Sequence, residues 1–178
     1  MKSCELMEKY SVPACVKEMR AVQTVADALA APGITLAAIS KEQTFDVTLA
    51  YIEMWVVDLN VFMNIKAKMT PPQIRETAHY IYEDYYYLKI QDLKVVFADI
   101  KKGRYGEIYN RLDGTIILNC FAQYAQNRWE LSEQQGMSNL TKRNPDEEAL
   151  VKVSKSSKGK SKRVVWGKAL ERKKQAKK

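Results

Sequence analysis

The run Lys101-Lys102-Gly103-Arg104-Tyr105-Gly106-Glu107-Ile108-Tyr109-Asn110-Arg111-Leu112-Asp113-Gly114 holds four cations, two aromatics and three glycines in fourteen positions. Contact with a phosphate backbone needs cations beside small residues, and aromatic rings can stack on bases. Lys101, Lys102, Arg104, Tyr105 and Arg111 are therefore candidate nucleic-acid contacts. The same residues also suit a turn. Gly103 can end a helix, Gly106 can take a positive φ, and Tyr105 and Tyr109 can pack on the body. The two readings are compatible.

Catalytic chemistry finds less support. His79 and Glu83 stand four apart on one helix beside Asp84, a spacing metal sites use, but His79 is the chain's only histidine. The pair is expected on a solvated helix face. Asp58, Asp92 and Asp99 form no paired carboxylate motif. Cys120, set among Ile117, Phe121 and Tyr124, is expected to be a buried, inert thiol. There is no G-x-S-x-G element, and Gly103-x-x-Gly106 lacks the Walker Lys-Ser/Thr. Five tyrosines, Tyr80, Tyr82, Tyr85, Tyr86 and Tyr87, crowd one helix end. They either edge the core with hydroxyls in water or stack on bases. The expectation is a protein that binds rather than catalyses, with no metal and no cofactor.

Charge separates the chain into two parts. From Thr141 to Lys178 there are 14 Lys/Arg and 4 Asp/Glu, a net +10, whereas Met1–Leu140 is −2. A near-neutral body with a cationic arm suits a polyanionic partner. Within the arm, Lys158, Lys160, Lys162 and Arg163 are candidate phosphate contacts. Lys152–Lys162 is Lys/Ser-rich and too polar to repay the entropy of folding. The arm also carries an apolar island, Val164-Val165-Trp166 with Leu170, as a candidate contact for a protein partner.

The body reads as all-α, a compact bundle of about five helices over residues 1–138, with 139–178 a basic, mostly disordered tail. Pro13 can open a helix that runs to Ala31-Pro32-Gly33, and a short helix is expected from Thr35 to Lys41. Leu49, Ile52, Val56, Leu59 and Met63 step at helical spacing, which places a helix at Thr44–Ile65, expected at the centre of the bundle. Thr70-Pro71-Pro72-Gln73 carries a capping-box signal for the next helix, with Ile74, Ala78, Ile81, Tyr85 and Leu88 inward. Asp92 starts or caps a further helix with Leu93, Val96, Phe97 and Ile100 inward. Asp113 is the expected cap of the last one, whose pattern fades after Gln135-Gly136. A short hairpin in the Arg104–Leu112 connector is an open alternative to a plain loop. Glu5 and Glu8 sit where a signal peptide would be apolar, and no uncharged run reaches the ~20 residues a membrane span needs. With three scattered cysteines, these features predict a cytoplasmic protein with no membrane partner.

Trp55–Asn60 (WVVDLN), Met69-Thr70-Pro71-Pro72-Gln73-Ile74, Leu88-Lys89 with Asp92-Leu93, the KKGRYGEIYNRLDG run and Tyr124 to Arg128 together resemble a small helical domain family of Bacteroidetes, their phages and mobile elements. The resemblance covers about Phe45–Glu130. It implies a phage or mobile-element accessory protein and supplies no activity. The M-T-P-P-Q segment is also similar to phage helicase-loader and replication-accessory domains. The function expected is a nucleic-acid-associated accessory protein, on DNA and without sequence preference. The alternative is a protein-interaction adaptor or inhibitor whose tail docks electrostatically.

Overall fold

The computed structural model describes residues 8–108 and 111–143, with side chains described through Ser138. The chain divides into two units, Met1–Gln134 and Gln135–Lys178, and the fold that follows is that of the first. Its helices are α1 (Val12–Glu18), α2 (Val25–Ala30), α3 (Leu36–Glu42), α4 (Phe45–Phe62), α5 (Pro71–Tyr85) and α6 (Ile90–Lys101). The long α7 (Gly114–Arg143) begins in this unit and continues past its end. The described residues contain no strand, only isolated bridges at Thr35–Lys89 and Ala67–Arg111. The architecture is all-α.

Local chemistry sets most of the boundaries. Thr35 and Thr44 cap α3 and α4, their hydroxyls accepting from the N–H groups of Ala38 and Val47. At α5 the Thr70 N–H donates to Gln73 Oε1 at 2.8 Å, the reciprocal half of a capping box. Asp113 Oδ1 accepts the Ile116 N–H at 3.0 Å and so caps α7.

Where a single helix was expected between Ala14 and Ala31, there are two. A second cap interrupts the pattern: Asp27 Oδ2 accepts the N–H groups of Gln23 and Thr24, and the Thr24 hydroxyl accepts the Asp27 N–H. This capping box starts α2 afresh at Val25. Asp92 also acts differently from a first-residue cap. It sits one turn inside α6, where Oδ2 accepts the Lys89 N–H at 2.8 Å. At the far end, helix α7 runs through Gly136 to Arg143, beyond the point where its apolar pattern fades.

Helix α6 is the most deeply buried helix, while α4 packs against α1, α3, α5 and α6. Ten of the twelve residues of α6 are buried, including Gln91, Asp92, Lys94 and Asp99. The α4 stripe is one-sided: Ile52, Val56 and Leu59 are buried, while Val57, Val61 and Phe62 face solvent. Apolar periodicity does not reveal how deep α6 lies, because this segment carries polar residues into the interior, where they bond to the backbone. Lys89 Nζ donates to the carbonyls of Leu29 (3.1 Å) and Ala31 (2.7 Å) at the end of α2, and Lys94 Nζ donates to the Val22 carbonyl. These ammonium groups satisfy carbonyls that a helix end and a turn leave without partners. Trp55 stacks on Phe97 (5.5 Å between centroids), and Phe97 meets Phe121 edge-on at 5.6 Å. That line of rings joins α4, α6 and α7.

Candidate nucleic-acid interface

The connector leaves α6 through a helix stop built on glycine. Gly103 has φ 71°, its N–H donates to the Ile100 carbonyl, and the Arg104 N–H reaches back to the Asp99 carbonyl, both at 3.0 Å. These two bonds make a Schellman motif. The chain then packs inward: Tyr105 and Ile108 lie against the core and Leu112 is buried. A cavity of about 120 Å³ lies beneath, lined by Ile100, Tyr105, Ile108, Ile116 and Cys120. The Leu112 N–H donates to the Ala67 carbonyl at 3.1 Å, so the described part of the connector pairs with the segment before α5 instead of forming a hairpin.

This geometry divides the loop cations. Lys101 is ion-paired with Asp58 of α4 and lies over the Phe62 ring. Arg104 Nη1 is 2.9 Å from Asp99 Oδ1, and Arg111 Nε is 3.2 Å from Asp113 Oδ2. Lys102 is exposed at the helix end and has no ion pair among the described residues. Each of the other three is tied to its own carboxylate, so the connector does not present one continuous positive stripe. The Arg104 and Arg111 side chains remain more than half exposed. Exchange of Asp113 for phosphate costs the largely exposed Arg111 little, because exposed ion pairs are worth ~0–1 kcal/mol, whereas release of Arg104 would leave the buried Asp99 carboxylate without its partner. Lys158, Lys160, Lys162, Arg163, Val164, Val165, Trp166 and Leu170 lie outside the described residues.

Asp99, which shows no paired carboxylate motif in the sequence, joins this site through Arg104. Burial pushes its carboxyl up from the ordinary range, while the charges of Arg104, Lys102 and Lys94 pull it back. Asp99, Arg104, Tyr105 and Asn127 share a cleft with Thr24 and Val25. The sequence signal for it was the fivefold spacing of Asp99 and Arg104, which becomes meaningful only once Gly103 turns the chain back.

A second group is Asp92, Tyr124 and Arg128. The Tyr124 hydroxyl and Arg128 Nε both donate to Asp92 Oδ1, at 2.7 and 3.0 Å. Asp92 and Tyr124 are fully buried. Arg128 also lies 5.7 Å from the Tyr87 ring centroid. Tyr124 and Arg128, four apart on α7, thus clasp α6 and the α5–α6 turn. Burial and the adjacent Asp92 carboxylate raise the Tyr124 hydroxyl well above its ordinary pKa, which suits a fixed donor.

Burial pushes the Cys120 thiol up to about 11, far from the thiolate a nucleophile needs. His79 Nδ1 is 3.5 Å from Glu83 on an exposed face, and the described residues contain no group of three or more potential ligands that could hold a metal. Tyr82 and Tyr85 pack on the core, with Tyr85 against Phe121, while Tyr80, Tyr86 and Tyr87 are exposed. No helix among the described residues is long and apolar enough to cross a membrane.

No protein-family model, curated protein or solved structure matches the chain.

Proposed function

We propose that the chain is a nucleic-acid-associated accessory protein, acting by binding and not by catalysis, in the replication or maintenance of a phage or mobile element. The observation that carries this reading is the net +10 of residues 141–178 against −2 for residues 1–140. Lys/Arg side chains that displace condensed counterions supply sequence-independent affinity for DNA. The body adds Lys102, Arg104 and Arg111 at one exposed connector. The phage and mobile-element setting rests on the resemblance of the connector and its flanking helices.

Fluorescence anisotropy with labelled single- and double-stranded DNA tests the reading. Binding to both at moderate salt, with strands recovered intact in the presence of magnesium, is the expected result. Absence of binding, or metal-dependent cleavage, contradicts it.

One observation favours a second reading, a protein-interaction adaptor. Val57, Val61 and Phe62 leave an exposed apolar strip on α4, with Val61 70% exposed.

A further inference from the structure

Residues 63–70 link α4 to α5, and their burial alternates. Met63 and Ile65 pack on the core and Met69 is buried, whereas Asn64, Lys66 and Lys68 face solvent. Successive side chains of an extended segment point to opposite sides, so the residues that seek the core turn both lysines outward together. The link is pinned at its far end. Asn60 Nδ2 donates to the Met69 carbonyl at 3.1 Å, and Asn60 Oδ1 accepts the Met69 N–H at 3.0 Å.

The connector returns alongside this link. Ala67 and Arg111 form a parallel bridge, held by the Leu112 N–H on the Ala67 carbonyl. Leu112 is buried, and the Arg111 side chain beside it is 75% exposed. The bridge thus brings Arg111 next to Lys66 and Lys68, which are remote from it in sequence. Neither lysine has an ion pair among the described residues. At the start of the same link stands Phe62, the last residue of α4, with 56% exposure. Lys101 Nζ lies 5.0 Å from its ring centroid. Lys101 ends α6, from which the connector departs, so the connector touches the end of α4 at its beginning and the link at its close.

Cations held on a fixed backbone bind successive phosphates, and an exposed ring beside them takes an unstacked base. A duplex satisfies only the first of these, because its bases are already stacked and paired. We propose that a single strand of nucleic acid crosses this surface, with its phosphates on Lys66, Lys68 and Arg111 and one base stacked on Phe62. The proposal rests on the nucleic-acid reading and adds to the charge of the tail a fixed site on the body that prefers unpaired strands.

Fluorescence anisotropy of the full chain, with a labelled oligothymidine and a duplex of equal length over a range of salt, tests it. Lys66→Gln combined with Lys68→Gln should flatten the single-strand slope of log K against log salt by about 1.4, at ~0.7 per phosphate contact. Lys66→Arg with Lys68→Arg retains both charges and should keep the parent slope. Phe62→Leu keeps an apolar side chain and removes the ring, so it should bind the single strand about tenfold more weakly and the duplex as the parent does. An unchanged melting temperature shows that the variants are folded. An unchanged single-strand slope in the glutamine variant, or an equal effect of Phe62→Leu on both forms, overturns the proposal. The nucleic-acid reading then still stands on binding by the parent chain. A parent chain that binds neither form overturns both.

Discussion

The Tyr124 hydroxyl donates to Asp92 Oδ1 at 2.7 Å, deep in the bundle where neither residue meets water. With the Arg128 guanidinium on the same oxygen and the Lys89 N–H on the other, the carboxylate ties the start of α6 to α7. Buried charges persist only when paired and hydrogen-bonded, and removal of one partner leaves the other uncompensated. Tyr124→Phe should therefore cost ~1–3 kcal/mol. Asp92→Ala, which strands Arg128, should cost ~3–5 kcal/mol. Urea unfolding of the purified variants measures both. A loss below that of an ordinary surface substitution at Asp92 would show that the clasp contributes little.

Helix α7 begins where it touches α5. A Cβ added at Gly114 would lie 2.4 Å from Thr77 Oγ1, and that hydroxyl is already held by the Gln73 carbonyl at 2.7 Å. Gly114→Ala should cost ~1–3 kcal/mol through overpacking, despite the better helix propensity of alanine. Thermal unfolding followed by circular dichroism checks the sign. A raised melting temperature would mean that the α5–α7 contact yields without strain.

Asp99 makes stability depend on pH in a stated direction. Its folded pKa is raised by burial, so between the unfolded value and the raised one the native state binds more protons. Stability contributed at this site therefore falls as pH rises through that window. Asp99→Asn removes the titration. Its melting temperature relative to the parent chain should climb as pH rises from the ordinary value of ~4. A difference that is flat or falls with pH would show that Arg104, Lys102 and Lys94 outweigh desolvation.

The sequence carried the helical class and most helix starts, because threonine and aspartate caps and the Thr70-Pro71-Pro72-Gln73 signal are local chemistry. Asp27 and Thr24 are local as well, yet their box fell inside an apolar pattern that ran straight through it. The deep burial of α6 was less legible, since Lys89, Gln91, Asp92 and Lys94 read as surface residues. Their partners, such as the Leu29, Ala31 and Val22 carbonyls and Tyr124, lie 32 to 72 positions away. Of the candidate site, the cations of the connector were legible by type. Their pairing with Asp58, Asp99 and Asp113 was not, because Asp58 comes from another helix and Asp99 is brought back only by the turn at Gly103.

The salt dependence of DNA binding shows where the affinity for phosphate resides. The parent chain is compared with one in which Lys152, Lys155, Lys158, Lys160, Lys162 and Arg163 are changed to Gln. Each phosphate contact on duplex DNA contributes about −0.9 to the slope of log K against log salt. If these cations carry the affinity, the slope should flatten by about 5 in the altered chain, with the melting temperature of the body unchanged. An unchanged slope would contradict the account and move the binding surface to the body.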